Sequence, residues 1–189
     1  MSSKFPPQRP PLLPMKVGGF VVDAETGQPA LILTDEPGER WLPIVIGRQE
    51  ASSIVLALQN DPTPRPMSHD LMKSILEFTR AKVKSVVIHD LRDNTFFSRV
   101  ELEADGRALE LDARPSDGIA LALRVHAPIF VTDRIPLATA QSDEDEAEAE
   151  TMATELERPP IDEKAFHAFL DALKPSDFLE GGAAPEPSS

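Results

Sequence analysis

Two short stretches of the chain combine residue types that can bind and cleave a phosphodiester. Residues 64–72 read PRPMSHDLM, and residues 112–124 read DARPSDGIALALR. In both, an arginine and a proline precede a serine, an acid and an apolar run. A helix start leaves backbone N–H groups unpaired and carries partial positive charge, and an arginine ahead of it adds a planar guanidinium suited to phosphate. The pattern therefore predicts two anion-binding helix starts.

The residues of these stretches divide into two predicted roles. The phosphate-binding candidates are Arg65, Arg114, Ser116 and Arg48. The catalytic candidates are His69, Asp70, Asp112, Asp117 and Glu50. A histidine can exchange a proton near neutral pH, and carboxylates can position a water or a divalent metal such as Mg²⁺. The spacing defines no recognised ligand set, so the identity of any metal cofactor is left unknown.

A second interpretation assigns the same residues to stability alone. Serine and aspartate are favoured at helix starts whether or not a site is present, and Ser68 and Ser116 are the predicted N-caps. The arginines and carboxylates could equally form ion pairs that hold the strand-to-helix junctions. Spacing alone does not separate the two interpretations.

Hydrophobic periodicity predicts the elements that must position these residues. The predicted strands are 15–22, 29–34, 41–46, 83–91, 96–102, 109–112 and 129–131, and the predicted helices are 47–59, 69–80 and 116–126. The last helix has no polar face, so it should lie buried against a sheet. The fold class is therefore α+β: two successive units of three strands and a helix around a mixed, mostly antiparallel sheet, with an extra helix between them.

Composition divides the chain into four predicted segments. Residues 1–14 are a proline-rich disordered leader, 15–137 a single folded domain, 138–160 an acidic linker and 161–189 a tail. The tail places Phe166, Phe169, Leu170 and Leu173 at the spacing of a short amphipathic helix. A chain of 189 residues is long enough to bury one core.

The net charge of -13 lies mostly outside the predicted domain. Residues 15–137 hold 14 bases and 18 acids, whereas residues 138–189 hold three bases and 14 acids. The domain can therefore still present a local basic groove to nucleic acid. The chain has no cysteine, which excludes disulfides, zinc–thiolate sites and a cysteine nucleophile. No apolar run is long enough to span a membrane, so we expect a cytoplasmic protein without membrane contact.

Four ordered blocks of sequence resemble a known family. They are LPIVIGRQEASSI (42–54), PRPMSHDLM (64–72), VVIHDLRDNTFFSRVEL (86–102) and LDARPSDGIALALRVHAPIFV (111–131). Together they are similar to the bifunctional nuclease family, a DNase/RNase domain of bacteria and plants, over about residues 15–135. The resemblance implies an α+β fold, RNA and DNA as substrates, and a homo-oligomer with a dimer favoured. Gly118 stands where the family usually has alanine, and Phe97 where a tyrosine is common.

The favoured function is thus a nuclease of low sequence specificity that cleaves DNA and RNA. The chain is only 5% aromatic and offers little surface for base stacking, which favours recognition of the phosphate backbone. The alternative is a non-catalytic ligand-binding or regulatory module, in which the same arginines and helix starts hold an anionic small molecule or a partner's acidic segment.

Overall fold

The computed structural model of the protein describes residues 10–22, 27–60 and 63–139. The strands are β1 (Leu12–Val22), β2 (Pro29–Thr34), β3 (Arg40–Val45), β4 (Lys82–Arg92), β5 (Thr95–Ala104), β6 (Arg107–Ala113), β7 (Ile129–Thr132) and β8 (Ala138–Thr139). The helices are α1 (Arg48–Gln59), α2 (Ser68–Phe78) and α3 (Pro115–Val125). The predicted α+β class is confirmed: β1–β2–β3–α1 and β4–β5–β6–α3 are the two units, and α2 lies between them.

All eight strands form one sheet in the order β6-β5-β4-β7-β1-β2-β3-β8. Neighbouring strands are antiparallel except β4 and β7, which pair in parallel through Val86 and Ile129 and the residues that follow them. Strand β1 joins the two units, because its first half pairs with β7 and its second half with β2. The last strand of the second unit, β6, is therefore at one edge of the sheet, and β8 is at the other.

Helix α3 is buried against the middle of the sheet, as its lack of a polar face predicted. Ile119, Ala120 and Ala122 are fully buried, and the helix contacts β4 and β5. Gly118 allows this close approach: a Cβ on it would lie 2.9 Å from Cγ1 of the fully buried Val86. Among the described residues, no helix is long and apolar enough to cross a membrane.

Two boundaries of the folded body differ from the prediction. Strand β1 begins at Leu12, inside the expected leader, because residues 12–15 pair with β7 from Thr132 back to Ile129. Strand β8 uses Ala138 and Thr139, which the prediction gave to the acidic linker, to pair with β3. Proline-rich and polar sequence gives no strand signal of its own at these positions, because such short strands form through hydrogen bonds to a partner strand. The rest of the expected leader, linker and tail helix lies outside the described residues.

Helix α2 forms as predicted, but its apolar side chains are not covered by the described part of the chain. Leu71, Ile75 and Phe78 are 57%, 53% and 89% exposed. The helix contacts mainly α3, and only Leu76 among its apolar side chains packs against the buried core. A strip of apolar surface therefore remains open between α2 and the edge strand β6, where Leu109 and Leu111 are also exposed.

Candidate active site

The two sequence motifs meet where helices α1, α2 and α3 come together. The motif of residues 64–72 supplies the start of α2, and the motif of residues 112–124 supplies the end of β6 and the start of α3. Both α1 and α2 pack against α3. A cleft of about 1020 Å³ opens beside this junction. Its polar end is lined by Glu50, His69, Asp112, Arg114 and Asp117, and its apolar end by Met72, Ile75, Leu76, Leu102 and Leu111.

Arg114 joins the start of α3 to the start of α1 at the polar end. Its Nε and Nη2 donate to the two carboxylate oxygens of Asp117 at 2.7 and 3.1 Å, and its Nη1 donates to Glu50 Oε1 at 2.9 Å. The Glu50 carboxylate folds back over Gly47, where a Cβ would collide with it. The Arg114 side chain remains 65% exposed, so its guanidinium faces the cleft and solvent while two carboxylates hold it in place.

His69 connects the first motif to the second. Its Nε2 lies 3.3 Å from Asp117 Oδ1, and its Nδ1 lies 2.8 Å from Ser53 Oγ. An ionised carboxylate can only accept, so in the neutral imidazole Nε2–H donates to Asp117 and Nδ1 accepts from the Ser53 hydroxyl. The result is a hydroxyl–imidazole–carboxylate chain, the arrangement in which an imidazole can take a proton from a hydroxyl while the carboxylate stabilises the imidazolium.

Asp117 is the residue on which these contacts converge. Burial alone would raise the pKa of its carboxyl, but the hydrogen bonds and positive charge of Arg114, followed by those of His69, lower the pKa below its usual value. The same contact, mainly the hydrogen bond to Asp117, raises the pKa of Arg114. Asp117 is therefore ionised at neutral pH and fixes both the guanidinium and the imidazole.

Asp70 faces away from this cluster, although it directly follows His69. Its Oδ1 accepts from Nε of the buried Arg124 at 2.6 Å, and its Oδ2 accepts from the backbone N–H of Met67 at 2.8 Å. Arg124 also donates to the backbone oxygens of Ser53 and Ala120 at 3.0 and 2.9 Å. Burial opposes ionisation of Asp70, but the hydrogen bond from Arg124 and then that from Met67 lower its pKa. Asp70 and Arg124 thus lock α1, α2 and α3 together.

The remaining candidates divide between the cleft and its surroundings. Asp112 is exposed at the end of β6 and lines the cleft. Arg65 and Arg48 are exposed but do not line it, and Ser116 is buried within α3. Of the three arginines predicted to bind phosphate, Arg114 alone therefore lines the cleft.

Both predicted serine caps are wrong. The N-caps are Met67 and Arg114, so Ser68 and Ser116 lie inside the first turns of their helices. At α2, Asp70 supplies the capping carboxylate instead. At α3, Pro115 has no N–H and the N–H groups of Asp117 and Gly118 both donate to the Arg114 carbonyl oxygen. The α3 start thus offers an anion few free N–H groups, and the Arg114 guanidinium is its main positive group.

Ser53 and Arg124 were missed by the sequence-based prediction. Ser53 lies two turns before the end of α1 in an apolar stretch, where a serine carries no signal of its own. Arg124 occupies the last turn of α3, where a basic residue interacts favourably with the helix dipole. Its residue type therefore gave no sign of a further role. The one available signal was helical spacing, since Glu50 and Ser53 are three residues apart and lie on the same side of α1.

The carboxylates of this region do not form a metal-binding set. Glu50 and Asp117 are held by Arg114, and Asp70 by Arg124. Within the described residues, no three histidine, aspartate or glutamate side chains converge on a point that a metal ion could occupy. The donor set therefore does not fit the Mg²⁺ ion that the sequence left open.

A comparison with protein families identifies the chain. Residues 31–144 match the bifunctional nuclease domain, and this match spans more than half of the 189 residues. The chain belongs to the bifunctional nuclease domain family. The matched range includes all of the cleft-lining residues and the Ser53–His69–Asp117 chain.

Relatives in this family differ in how much is known of them. An uncharacterized protein of Mycobacterium tuberculosis is 38% identical over 167 residues, which cover 87% of this chain and 96% of the relative. Bifunctional nuclease 1 of Oryza sativa subsp. japonica is 32% identical over 110 residues, 56% of this chain and 33% of the relative. Bifunctional nuclease 1 of Arabidopsis thaliana is 29% identical over 118 residues, 60% of this chain and 36% of the relative. The chain thus matches about a third of each plant nuclease.

Proposed function

We propose that this protein is a nuclease that hydrolyses phosphodiester bonds of RNA and DNA with low sequence specificity at the polar end of the cleft. The observation that carries the proposal is the Ser53–His69–Asp117 hydrogen-bond chain beside the exposed guanidinium of Arg114. The imidazole of His69 and the guanidinium of Arg114 both donate hydrogen bonds to the carboxylate of Asp117. The names of the plant relatives and membership of the family agree with this chemistry.

Arg114 is the proposed phosphate-binding residue. Its guanidinium has five N–H donors, of which three are used by Asp117 and Glu50. Two donors remain for a phosphate oxygen entering the cleft. The carboxylates hold the guanidinium in one orientation, which reduces the entropy lost when a substrate binds. Arg65 and Arg48 could bind more distant phosphates of a longer strand.

His69 is the proposed general base and acid. In the attack step, a water oxygen forms a bond to phosphorus and the bond from phosphorus to the leaving oxygen breaks. The proton released by the water passes through the Ser53 hydroxyl to His69 Nδ1, and Asp117 stabilises the resulting imidazolium. Return of that proton to the leaving oxygen restores the neutral histidine. Asp112, exposed at the rim of the cleft, would orient the attacking water.

The walls of the cleft favour backbone recognition over base reading. Apart from His69, the side chains that line it include no aromatic ring, and its apolar end presents methionine, isoleucine and leucine side chains. Because His69 is the only ring among these lining side chains on which a base could stack, the cleft favours contact with the phosphate backbone. Cleavage should therefore depend weakly on sequence.

A second function uses the same cleft without catalysis. Glu50 and Asp117 already neutralise Arg114, which weakens its attraction for a phosphate, and most of the cleft wall is apolar. These observations favour a regulatory module that binds a ligand with an anionic group and an apolar body. In that case the protein binds its ligand but leaves RNA and DNA intact.

The test is a cleavage assay with labelled single-stranded RNA and DNA, with and without EDTA. The variants are Arg114→Ala and, as a matched control on the exposed surface of β6, Arg107→Ala. Loss of one charge-assisted phosphate contact should reduce the cleavage rate of Arg114→Ala by about 10- to 100-fold, while Arg107→Ala keeps the wild-type rate. Equal rates for both variants would contradict the phosphate-binding role of Arg114, and no cleavage by the wild type would favour the binding module.

We also propose a cytoplasmic homodimer formed through β6. This strand is at the edge of the sheet, and no strand of the described part of the chain pairs with its outer side. An open edge can pair with the same edge of a second copy. Light scattering after gel filtration should give twice the mass of 20.7 kDa, and a monomeric mass at all concentrations would contradict the dimer. The cytoplasm agrees with a chain that contains no cysteine.

A further inference from the structure

The apolar end of the cleft is an open groove between α2 and β6. Its floor is formed by Val100 and Leu102 of β5 and Leu121 of α3. One wall is α2, through Ile75, and the other is β6, through Leu111. Ile75 and Leu111 are 53% and 52% exposed, and no described segment lies over them. A groove between a helix and a strand face, with apolar walls and floor, is a surface that an amphipathic helix can fill.

The chain itself contains a segment with the matching pattern. Residues 161–174 read IDEKAFHAFLDALK, with Phe166, Phe169, Leu170 and Leu173 at i, i+3, i+4 and i+7. Acids occupy the first turn of this pattern, a lysine ends it and Pro175 follows, which are helix start and stop signals. A helix this short is marginal in water on its own, because most helical stability comes from packing of the apolar face. The segment therefore needs a surface on which to bury its stripe.

We propose that residues 161–174 form a helix that docks in the groove between α2 and β6 of the same chain. The tether is long enough. The chain leaves the sheet at β8, and β8 and β6 are at opposite edges, seven strand spacings or about 34 Å apart. About 26 residues separate Thr139 from Phe166; as a coil they would span about 28 Å on average, and fully extended roughly 85 Å.

Attachment to the same chain favours this occupant over a second copy. A tethered segment meets the groove at an effective concentration of the order of millimolar, whatever the protein concentration. Without docking, the apolar walls of the groove and the apolar stripe of residues 161–174 would both lack an apolar surface to pack against.

Disulfide trapping tests the proposal in the full-length chain, which has no cysteine of its own. The test pair is Leu111→Cys with Leu170→Cys, and the control pair is Val45→Cys with Leu170→Cys. Val45 is as exposed as Leu111, at 54%, but it lies on β3, next to the strand from which the tail departs. Random encounters of the tail should therefore favour the control pair.

We expect the test pair to form an intrachain disulfide at least tenfold faster than the control pair, at a rate independent of protein concentration. Equal rates, or a faster control, would overturn the proposal. A disulfide that joins two chains would also overturn it and would assign the groove to a second copy.

Hydrogen exchange supplies an independent readout. In the full-length Phe169→Glu/Leu170→Glu variant, amides of α2 should exchange at least threefold faster than in the wild type, because the helix loses its cover. Amides of β2, at the other side of the sheet, should not change. Unchanged exchange in α2 would overturn the proposal even if the cysteines can be joined.

Discussion

At the scale of single residues, the site depends on one carboxylate. Asp117 accepts two hydrogen bonds from Arg114 and one from His69, and it comes from the first turn of the most buried helix. The two interpretations left open by the sequence are therefore not exclusive. The ion pairs do hold the strand-to-helix junctions together, and they also bring an imidazole next to an exposed guanidinium.

Replacing Asp117 by asparagine should reduce cleavage and leave the fold intact. The amide keeps the size of the side chain but removes the charge that orients Arg114 and stabilises an imidazolium on His69. We expect a loss of about 100-fold or more in single-turnover rate, with a cost of about 1 kcal/mol in stability because the ion pair is partly exposed. Asp105→Asn, in the turn between β5 and β6, is the matched control. A melting temperature that falls in step with activity would indicate a purely structural role.

Asp70 should contribute to the loss of stability in acid. Its pKa is lowered from 3.8 in the folded state, so its contribution is fully present above about pH 4 and is lost as pH falls through 3.8 towards the folded value. Asp70→Asn should flatten the fall of the unfolding free energy below pH 4. The substitution should also lower the unfolding free energy by about 2 kcal/mol at pH 7, since the buried Arg124 loses its ion-pair partner. The loss stays modest because Asp70 is 36% exposed and water screens the ion pair. Urea titrations from pH 7 to 3 measure both effects, and an unchanged acid slope would contradict the assignment.

At the scale of elements, the approach of α3 to the sheet depends on Gly118. Alanine would favour the helix by up to about 1 kcal/mol, but its Cβ would press on Val86, which is fully buried and cannot move freely. We predict that Gly118→Ala lowers the unfolding free energy by about 1 kcal/mol. In the double variant Gly118→Ala/Val86→Ala, the loss should be smaller than the sum of the two single losses. Additive losses in chemical denaturation would show that the close contact carries no strain.

Hydrophobic periodicity predicted the elements well because most of them bury a face with its own period. The strands of the two units and the buried α3 were all expected, and so was the mostly antiparallel sheet. The pairing of β1 with β7 was not, because proline-rich residues around Leu12 carry no strand signal and depend on their partner. Exposure of Ile75 and its neighbours on α2 was also unexpected, since a periodic stripe predicts burial but not the surface that provides it.

The candidate site could be predicted only in part for a similar reason. Residue types near a helix start identify Arg114, Asp117 and His69 as candidates. They do not specify direction, so Asp70 was grouped with His69 although the helix turns it towards Arg124. Ser53 of α1 meets His69 of α2 because both helices pack against α3, and no local pattern of sequence records that contact.

At the scale of the whole molecule, the charge is divided between the sheet domain and the residues that follow it. Residues 138–189 hold 14 acids and three bases, and a tethered acidic segment can compete with nucleic acid for the exposed guanidinium of Arg114. Because β8 belongs to the sheet, the informative truncation removes residues 140–189 and keeps Thr139. We predict that this truncation raises the affinity for single-stranded RNA at low salt, with a gain that shrinks as salt screens the charges.

A variant with a less acidic tail separates this effect from docking of residues 161–174. Replacing the acids of residues 143–150 by their amides leaves residues 161–174 unchanged. It should reproduce most of the gain in low-salt affinity if repulsion by the acids is the cause. Equal affinities of all three proteins at low salt, with each one folded, would leave the acidic run as a plain tether.

The proposed nuclease activity depends most directly on His69, and cleavage by matched histidine variants tests it. His69→Asn removes the imidazole between Ser53 and Asp117. The control, His126→Asn, changes an exposed histidine at the end of α3, where asparagine tolerates the left-handed backbone conformation. Initial rates on labelled single-stranded RNA should fall at least 100-fold in His69→Asn and stay at the wild-type value in His126→Asn, with both proteins folded. A His69→Asn protein that cleaves RNA at the wild-type rate would contradict a catalytic role for this site.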